Sequence, residues 1–187
     1  MRVIAGTYRS RRLKGPGKLR LRPTSDRLRE TIFNILGPAV EDCLFVDLFA
    51  GTGAIGIEAI SRGARKAIFI ETHAATARLV RENLAALGTL PGAEVIQEDV
   101  IRGLERLVAR HLIADFIFLD PPYRGTEEHM RVLEFLDASH LIAPHGVVIA
   151  EHHRKTELPE RFDRLERTRL LEQGDAALSF YRLAAAA

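Results

Sequence analysis

Leu44-Phe45-Val46-Asp47-Leu48-Phe49-Ala50-Gly51-Thr52-Gly53-Ala54-Ile55-Gly56 passes from an apolar run through a glycine-rich turn into a helical pattern. Gly51, Gly53 and Gly56 satisfy G-x-G-x-x-G between a strand and a helix, and Glu71 stands 20 residues past Gly51. In that arrangement glycines let the backbone approach a ligand closely, and the acid binds ribose hydroxyls. The turn therefore sits at the carboxyl end of a buried strand, where open sheets hold their ligands.

Working outward, strands and helices alternate. Leu44–Leu48, Lys66–Glu71, Glu94–Gln97, Phe116–Leu119 and Gly146–Glu151 read as strands. Ala54–Arg62, a helix with Ala77, Val80, Leu84 and Leu87 on one face, Asp99–Arg110 and Glu127–Leu136 fall between them. Asp99–Arg110 carries Ile101, Leu104, Leu107 and Val108 on its apolar side. Such alternation predicts a parallel sheet covered on both faces. Phe162–Leu171 and Ala177–Leu183, joined around Gln173-Gly174-Asp175, read as a closing hairpin that makes one strand antiparallel. The expected fold is α/β and three-layered, Rossmann-like, with a mostly parallel seven-stranded sheet. Upstream, Thr24 or Ser25 can cap a helix with Leu28, Ile32, Ile35 and Leu36, ended by Gly37-Pro38. Arg2–Ala5 and Arg11–Leu13 flank a turn and read as a small N-terminal β-hairpin extension, residues 1–22. Residues 23–183 form the main domain, and 184–187 a low-complexity tail.

The 187 residues are 47% hydrophobic and 28% charged, with a net charge of only +2. A single cysteine, Cys43, excludes an internal disulfide and a cysteine-based metal cluster. Cys43 reads as a small core hydrophobe beside the first strand. His152-His153, the only histidine pair, points to opposite faces of a strand, so no metal is expected. The longest stretch without a charged residue, Ala138–Ala150, has 13 residues and is too short to span a bilayer. Met1 to Gly6 lacks a signal-peptide core, so the expected location is the cytoplasm, with no membrane partner.

The charge is uneven. Residues 1–30 hold ten bases and two acids, which leaves the remaining 157 residues with 17 bases and 23 acids. A basic arm on an acidic body predicts a polyanionic partner, nucleic acid first. Arg9, Arg11, Arg12, Lys14, Lys18, Arg20 and Arg22 are the expected contacts, spaced through Gly, Pro and Leu so that they can line a surface. A solvated basic loop is the plainer alternative.

Asp47 narrows the ligand. A carboxylate four residues before Gly51 would repel a pyrophosphate but suits an ammonium or sulfonium centre. S-adenosylmethionine has both, with a ribose for Glu71 and an adenine amine for Asp99. The alternative is that Asp47 only caps the following turn.

The fourth strand delivers Asp120-Pro121-Pro122-Tyr123. Two prolines fix the backbone and leave carbonyls that can only accept. A rigid corner with a carboxylate, bare carbonyls and an aromatic face suits a planar base held by its exocyclic amine. Asp120 and the Pro121 carbonyl would accept the two N–H bonds, and Tyr123 would stack on a base turned out of its helix. The alternative is a tight turn with Tyr123 in the core.

Asp47 to Gly53, Glu71, Asp99 and Asp120-Pro121-Pro122-Tyr123 together resemble the successive motifs of class I S-adenosylmethionine-dependent methyltransferases, in the branch that acts on exocyclic amines. The opening Met1-Arg2-Val3-Ile4-Ala5-Gly6 and the segment from Leu21-Arg22-Pro23-Thr24-Ser25-Asp26 to Leu36 are similar to the RsmD family, and the likeness spans nearly the whole chain. Members of that family methylate N2 of a guanine in 16S ribosomal RNA. The resemblance implies catalytic roles for Asp120, Pro121, Pro122 and Tyr123. It implies cofactor contacts from Thr24, Asp47, Phe49, Gly51, Gly53, Glu71, Asp99 and Asp120, with the segment near Thr24 closing over the cofactor. It implies 16S rRNA as partner, within an assembling small ribosomal subunit, and S-adenosylhomocysteine as product. His73 departs from the family pattern, where an acid often follows Glu71. The rival readings are a DNA adenine-N6 methyltransferase, a protein-glutamine methyltransferase (disfavoured because that branch has N-P-P-Y), a nicotinamide-dependent oxidoreductase and a non-catalytic RNA-binding module.

Overall fold

A computed structural model describes residues 1–17, 24–88, 91–121 and 126–185. The chain runs α1 (Asp26–Leu36), β1 (Leu44–Leu48), α2 (Ala54–Ser61), β2 (Lys66–Ile70), α3 (Ala74–Ala86), β3 (Ala93–Ile96), α4 (Val100–Ala109), β4 (Ala114–Leu119), α5 (Glu127–Ala138), β5 (Ile142–His153), β6 (Leu165–Gln173) and β7 (Ala176–Leu183). One seven-stranded sheet has the order β3-β2-β1-β4-β5-β7-β6. β1 to β5 are parallel, and β7 is antiparallel to both of its neighbours.

Alternation along each strand divides the core in two. Phe45, Phe69, Phe116, Phe118, Val147, Ile149 and Phe180 pack under α1, α2 and α3. Val46, Leu48, Ile68, Ile70, Ile117, Leu119 and Val148 pack under α4 and α5. The fold is therefore three-layered, as expected. The chain winds from β1 outward to β3 and then crosses back to β4 on the other side of β1. The strand order reverses between the parallel neighbours β1 and β4, and the crevice beyond their carboxyl ends is the natural ligand site.

Four local expectations change. The closing hairpin starts at Leu165 rather than Phe162, because Arg161 and Glu166 bridge across a turn and Asp137 caps that turn through Oδ1, which accepts from Arg164 and Leu165 N–H at 2.8 and 2.7 Å. β5 starts at Ile142 rather than Gly146. The register shift between Ala114 and Phe116 accommodates the extra residues around Pro144 and His145. α4 starts at Val100, with Asp99 as its N-cap. Val108 is 37% exposed, because the seam of α4 narrows to Val100, Leu104 and Leu107.

The arm is less separate than a hairpin extension. One antiparallel bridge, Arg2 to Arg12, joins its legs, and Val3 and Leu13 enter the same core as α1 and α2. Its turn sits on α2. Thr7 N–H donates to the Ser61 carbonyl at 2.7 Å, and a Cβ on Gly6 would fall 1.7 Å from that oxygen. Only glycine fits there. The buried Glu58 of α2 holds the arm from below, accepting from Ile4 N–H at 2.8 Å and Ala5 N–H at 2.9 Å. Two arginines face Glu58: Arg62 Nε at 2.9 Å and the fully buried Arg29 Nε at 3.7 Å. Arg29 also donates to the Arg2 carbonyl at 2.6 Å. Lys18, Arg20 and Arg22, expected among the nucleic-acid contacts, lie outside the described residues.

Candidate functional site

The glycine turn is shaped by backbone geometry. Phe49, Gly51 and Gly53 take φ of +58°, +57° and +77°. The left-handed region is unusual for a side chain as large as phenylalanine, so Phe49 is held there by its surroundings. A Cβ on Gly56 would fall 2.3 Å from the Phe69 ring, so the third glycine lets α2 press onto the sheet.

Strand register lines up the acids. Ile70, Leu48, Leu119 and Ala150 form one rung across β2, β1, β4 and β5. Glu71, Asp120 and Glu151 each stand one residue beyond it. Asp47 stands one residue short of it, pairing with Phe69 and Phe118. Alternation from Phe45, Phe69, Phe118 and Ile149 directs all four acids to the α1–α3 face.

Their partners differ with depth. Asp47 is 2% exposed, and its Oδ2 accepts from Gly56 N–H at 2.9 Å, so it does brace the turn. Burial pushes its carboxyl from 3.8 up to about 8, with the Gly56 N–H pulling the other way and Glu71 adding to the rise. Glu71 Oε2 accepts from Gly51 N–H at 3.1 Å and Oε1 from His73 N–H at 2.9 Å. His73 thus contributes its backbone, as the N-cap residue of α3. Asp99 Oδ1 accepts from Ile101 N–H at 3.0 Å and pairs with Arg131 at 3.0 Å. Burial raises the Asp99 carboxyl, but Arg131 and the Ile101 N–H outweigh it and hold Asp99 below the ordinary aspartate range.

Asp120 is half-buried and Pro121 buried, while Pro122 and Tyr123 lie outside the described residues. Thr24 Oγ1 donates to Glu151 Oε2 at 3.1 Å, which brings the segment before α1 to the end of β5. His129, in the first turn of α5, has its Nε2 2.8 Å from the Glu151 carbonyl, a contact that needs an N–H donor. Glu151 and His129 were missed from the sequence. An acid closing an apolar strand looks like a solvated end, and only the register with Asp120 marks it.

Cys43 is buried, and its burial pushes the thiol up to about 12, so it is no nucleophile. Among the described residues, no three His, Cys, Asp or Glu side chains are grouped to hold a metal ion, and no helix is long and apolar enough to cross a membrane. Arg9, Arg11 and Arg12 are exposed on the arm. Arg11 Nη2 donates to the Ala86 carbonyl at 3.3 Å, and Lys14 pairs with Glu82 at 2.9 Å, so this side of the arm runs along α3.

Asp47 gives the first testable consequence. The folded protein keeps a proton on Asp47 between about pH 4 and about pH 8, where the unfolded chain has lost it, so this group's contribution to stability falls as pH rises through that window. Asp47→Asn should therefore gain thermal stability over the parent as pH goes from 5 to 8, read by melting curves at both values. A gain that stays flat with pH would show that Asp47 is ionised in the folded protein.

Comparison with known proteins gives the family and the fold. The family described as conserved hypothetical protein 95 matches residues 1–182. A Bacillus subtilis protein, provisionally named an rRNA methyltransferase, is 37% identical over 183 residues, covering 97% of this chain and 98% of its own. Ribosomal RNA small subunit methyltransferase D of Haemophilus influenzae is 32% identical over 186 residues, covering 98% and 92%. An Escherichia coli structure, provisionally named a methyltransferase, superposes with a TM-score of 0.85 at 30% identity, over 100% of this chain and 99% of that one. More distant, at 17% identity and a TM-score of 0.64 over 89% and 96% of the chains, an RNA methyltransferase from Salinibacter ruber in complex with S-adenosyl-L-homocysteine shares the fold. With its Rossmann-like methyltransferase fold and these full-length likenesses, the chain belongs to the RsmD family.

Proposed function

We propose that the protein transfers a methyl group from S-adenosylmethionine to the exocyclic N2 amine of a guanine in 16S rRNA, within an assembling small ribosomal subunit. The observation that carries this reading is the register of Asp120 beside the glycine turn. Asp120 and the glycine turn follow adjacent strands, β4 and β1, at the point where the strand order reverses. The names of the relatives support rRNA as the substrate class.

The donor set fits the cofactor. A buried Asp47 that is neutral by itself, and ionises when a cation lies beside it, suits an ammonium or sulfonium centre. Thr24, Phe49, Gly51, Gly53, Glu71 and Asp99 are the residues that would hold the rest of the molecule. Bound S-adenosylmethionine supplies an electrophilic methyl on sulfur and becomes the neutral thioether S-adenosylhomocysteine.

The chain's own contribution is positioning. The guanine amine is a poor nucleophile because its lone pair is delocalised into the ring. Asp120 and the Pro121 carbonyl accept its N–H bonds and turn the lone pair toward the methyl group. As the N–C bond forms, the surplus amine proton passes to Asp120 and on to solvent. Orientation of this kind can supply most of the acceleration.

Mapping methylated bases in 16S rRNA from cells lacking the protein tests the reading. One N2-methylguanine should disappear, and purified protein should restore it in isolated 30S particles with labelled cofactor. Label in DNA adenine instead would overturn it. The arm adds a second test. Replacing Arg11 and Arg12 should weaken RNA binding and flatten the slope of log K against log salt, by about 0.9 for each duplex phosphate that the arm no longer neutralises. An unchanged slope would remove the arm from the interface.

A further inference from the structure

We infer that Glu151 selects guanine over adenine-like bases by accepting the N1–H of the purine whose N2 amine Asp120 holds. The inference rests on the guanine-N2 reading above and assigns that site a specificity residue. Three observations carry it. Leu119 pairs with Ala150, so Asp120, just past the end of β4, and Glu151, within β5, stand side by side on adjacent strands. Both continue the alternation of Phe118 and Ile149 onto the α1–α3 face. Glu151 is also fixed at both ends. Its carbonyl faces His129 Nε2 at 2.8 Å, and its Oε2 accepts from Thr24 Oγ1 at 3.1 Å.

The chemistry of the base supplies the rest. On its Watson–Crick edge guanine presents two neighbouring donors, N1–H and N2–H2. Two acceptors on adjacent strands match that pair. Adenine presents an N1 lone pair at the same place, which a carboxylate repels. Asp120 alone cannot make this distinction, because it meets only the amine.

The test uses 16S rRNA joined from fragments and reconstituted into 30S particles, with guanine or 2,6-diaminopurine at the mapped methylated position. Diaminopurine keeps the 2-amine but replaces N1–H with a lone pair. The parent protein should prefer guanine by about tenfold to a hundredfold in kcat/KM, the range expected for one base-edge contact. Glu151→Gln can present either an oxygen or an N–H to N1. It should slow guanine transfer, quicken diaminopurine transfer and bring the ratio close to one. If Glu151 only tethers Thr24, both bases will slow together and the ratio will keep its parent value, which overturns the inference while N2-methylguanine is still made. A parent protein that uses both bases equally overturns it without any variant. A parent protein that makes no N2-methylguanine overturns the underlying reading as well, and product analysis tells the two failures apart.

Discussion

Asp120→Ala is expected to abolish methyl transfer, with a fall of about 10²- to 10⁴-fold, the range for losing one positioned proton acceptor. Cofactor affinity should stay near that of the parent protein. The argument is geometric. Asp120 leaves β4 one residue past the rung shared with Leu48 and Ala150, followed at once by the buried Pro121, so its backbone position is set by the sheet. Removing the carboxylate leaves the amine's lone pair in conjugation with the ring and gives its proton no acceptor. Asp120→Asn keeps an oxygen for one N–H but cannot take the proton, so it should fall between the two. Single-turnover transfer, with titration of S-adenosylhomocysteine as the control, reads both effects. Normal turnover in Asp120→Ala would remove its assigned role.

Glu58→Ala should be the most damaging change away from the site. Glu58 is fully buried and accepts from two arm amides and from Arg62, with the fully buried Arg29 guanidinium 3.7 Å away. Arg29 Nε and Nη1 already have no hydrogen-bond partner among the described residues. Deleting the carboxylate leaves that buried cation with only the half-exposed Asp26, 3.0 Å from Nη2, as its counter-ion, a loss of about 3 kcal/mol. For a domain of this size the melting temperature should fall by roughly 10 °C. Adding Arg29→Met to Glu58→Ala should recover much of the loss, because no buried charge then remains. Melting curves of the parent, Glu58→Ala and the double variant decide it. A double variant no more stable than Glu58→Ala would show that the arm's hydrogen bonds, and not the charge, account for the loss.

The order of strands and helices was legible because it is written locally, in apolar runs and in caps such as Ser25, whose Oγ accepts from Leu28 N–H at 3.1 Å. Asp47 and Asp120 were legible because glycines or prolines mark their strand ends, and Glu71 because it stands 20 residues past Gly51. Glu58 and Glu151 were not. Each is one acid in an apolar stretch, and each takes its meaning from a partner far along the chain, Ile4 and Ala5 in one case and Thr24 in the other. β5 was read short because Pro144 and His145 interrupt an otherwise continuous strand, and the register shift that absorbs them is a property of the β4–β5 pair. Val108 was placed inside because periodicity gives the direction of a helix's apolar face but not its width.

The arm's anchors also set a timetable for synthesis. Ile4 waits for Glu58, 54 residues later, and Lys14 N–H waits for the Asn83 side chain, 69 residues later. Contacts that close such long loops form late in folding. The strongly cationic arm therefore emerges before the residues that anchor it and must stay undocked until α3 has followed it out. During that interval it is a bare polycation next to the translating ribosome's own RNA, and non-specific retention there should delay release of the chain in proportion to how little salt is present.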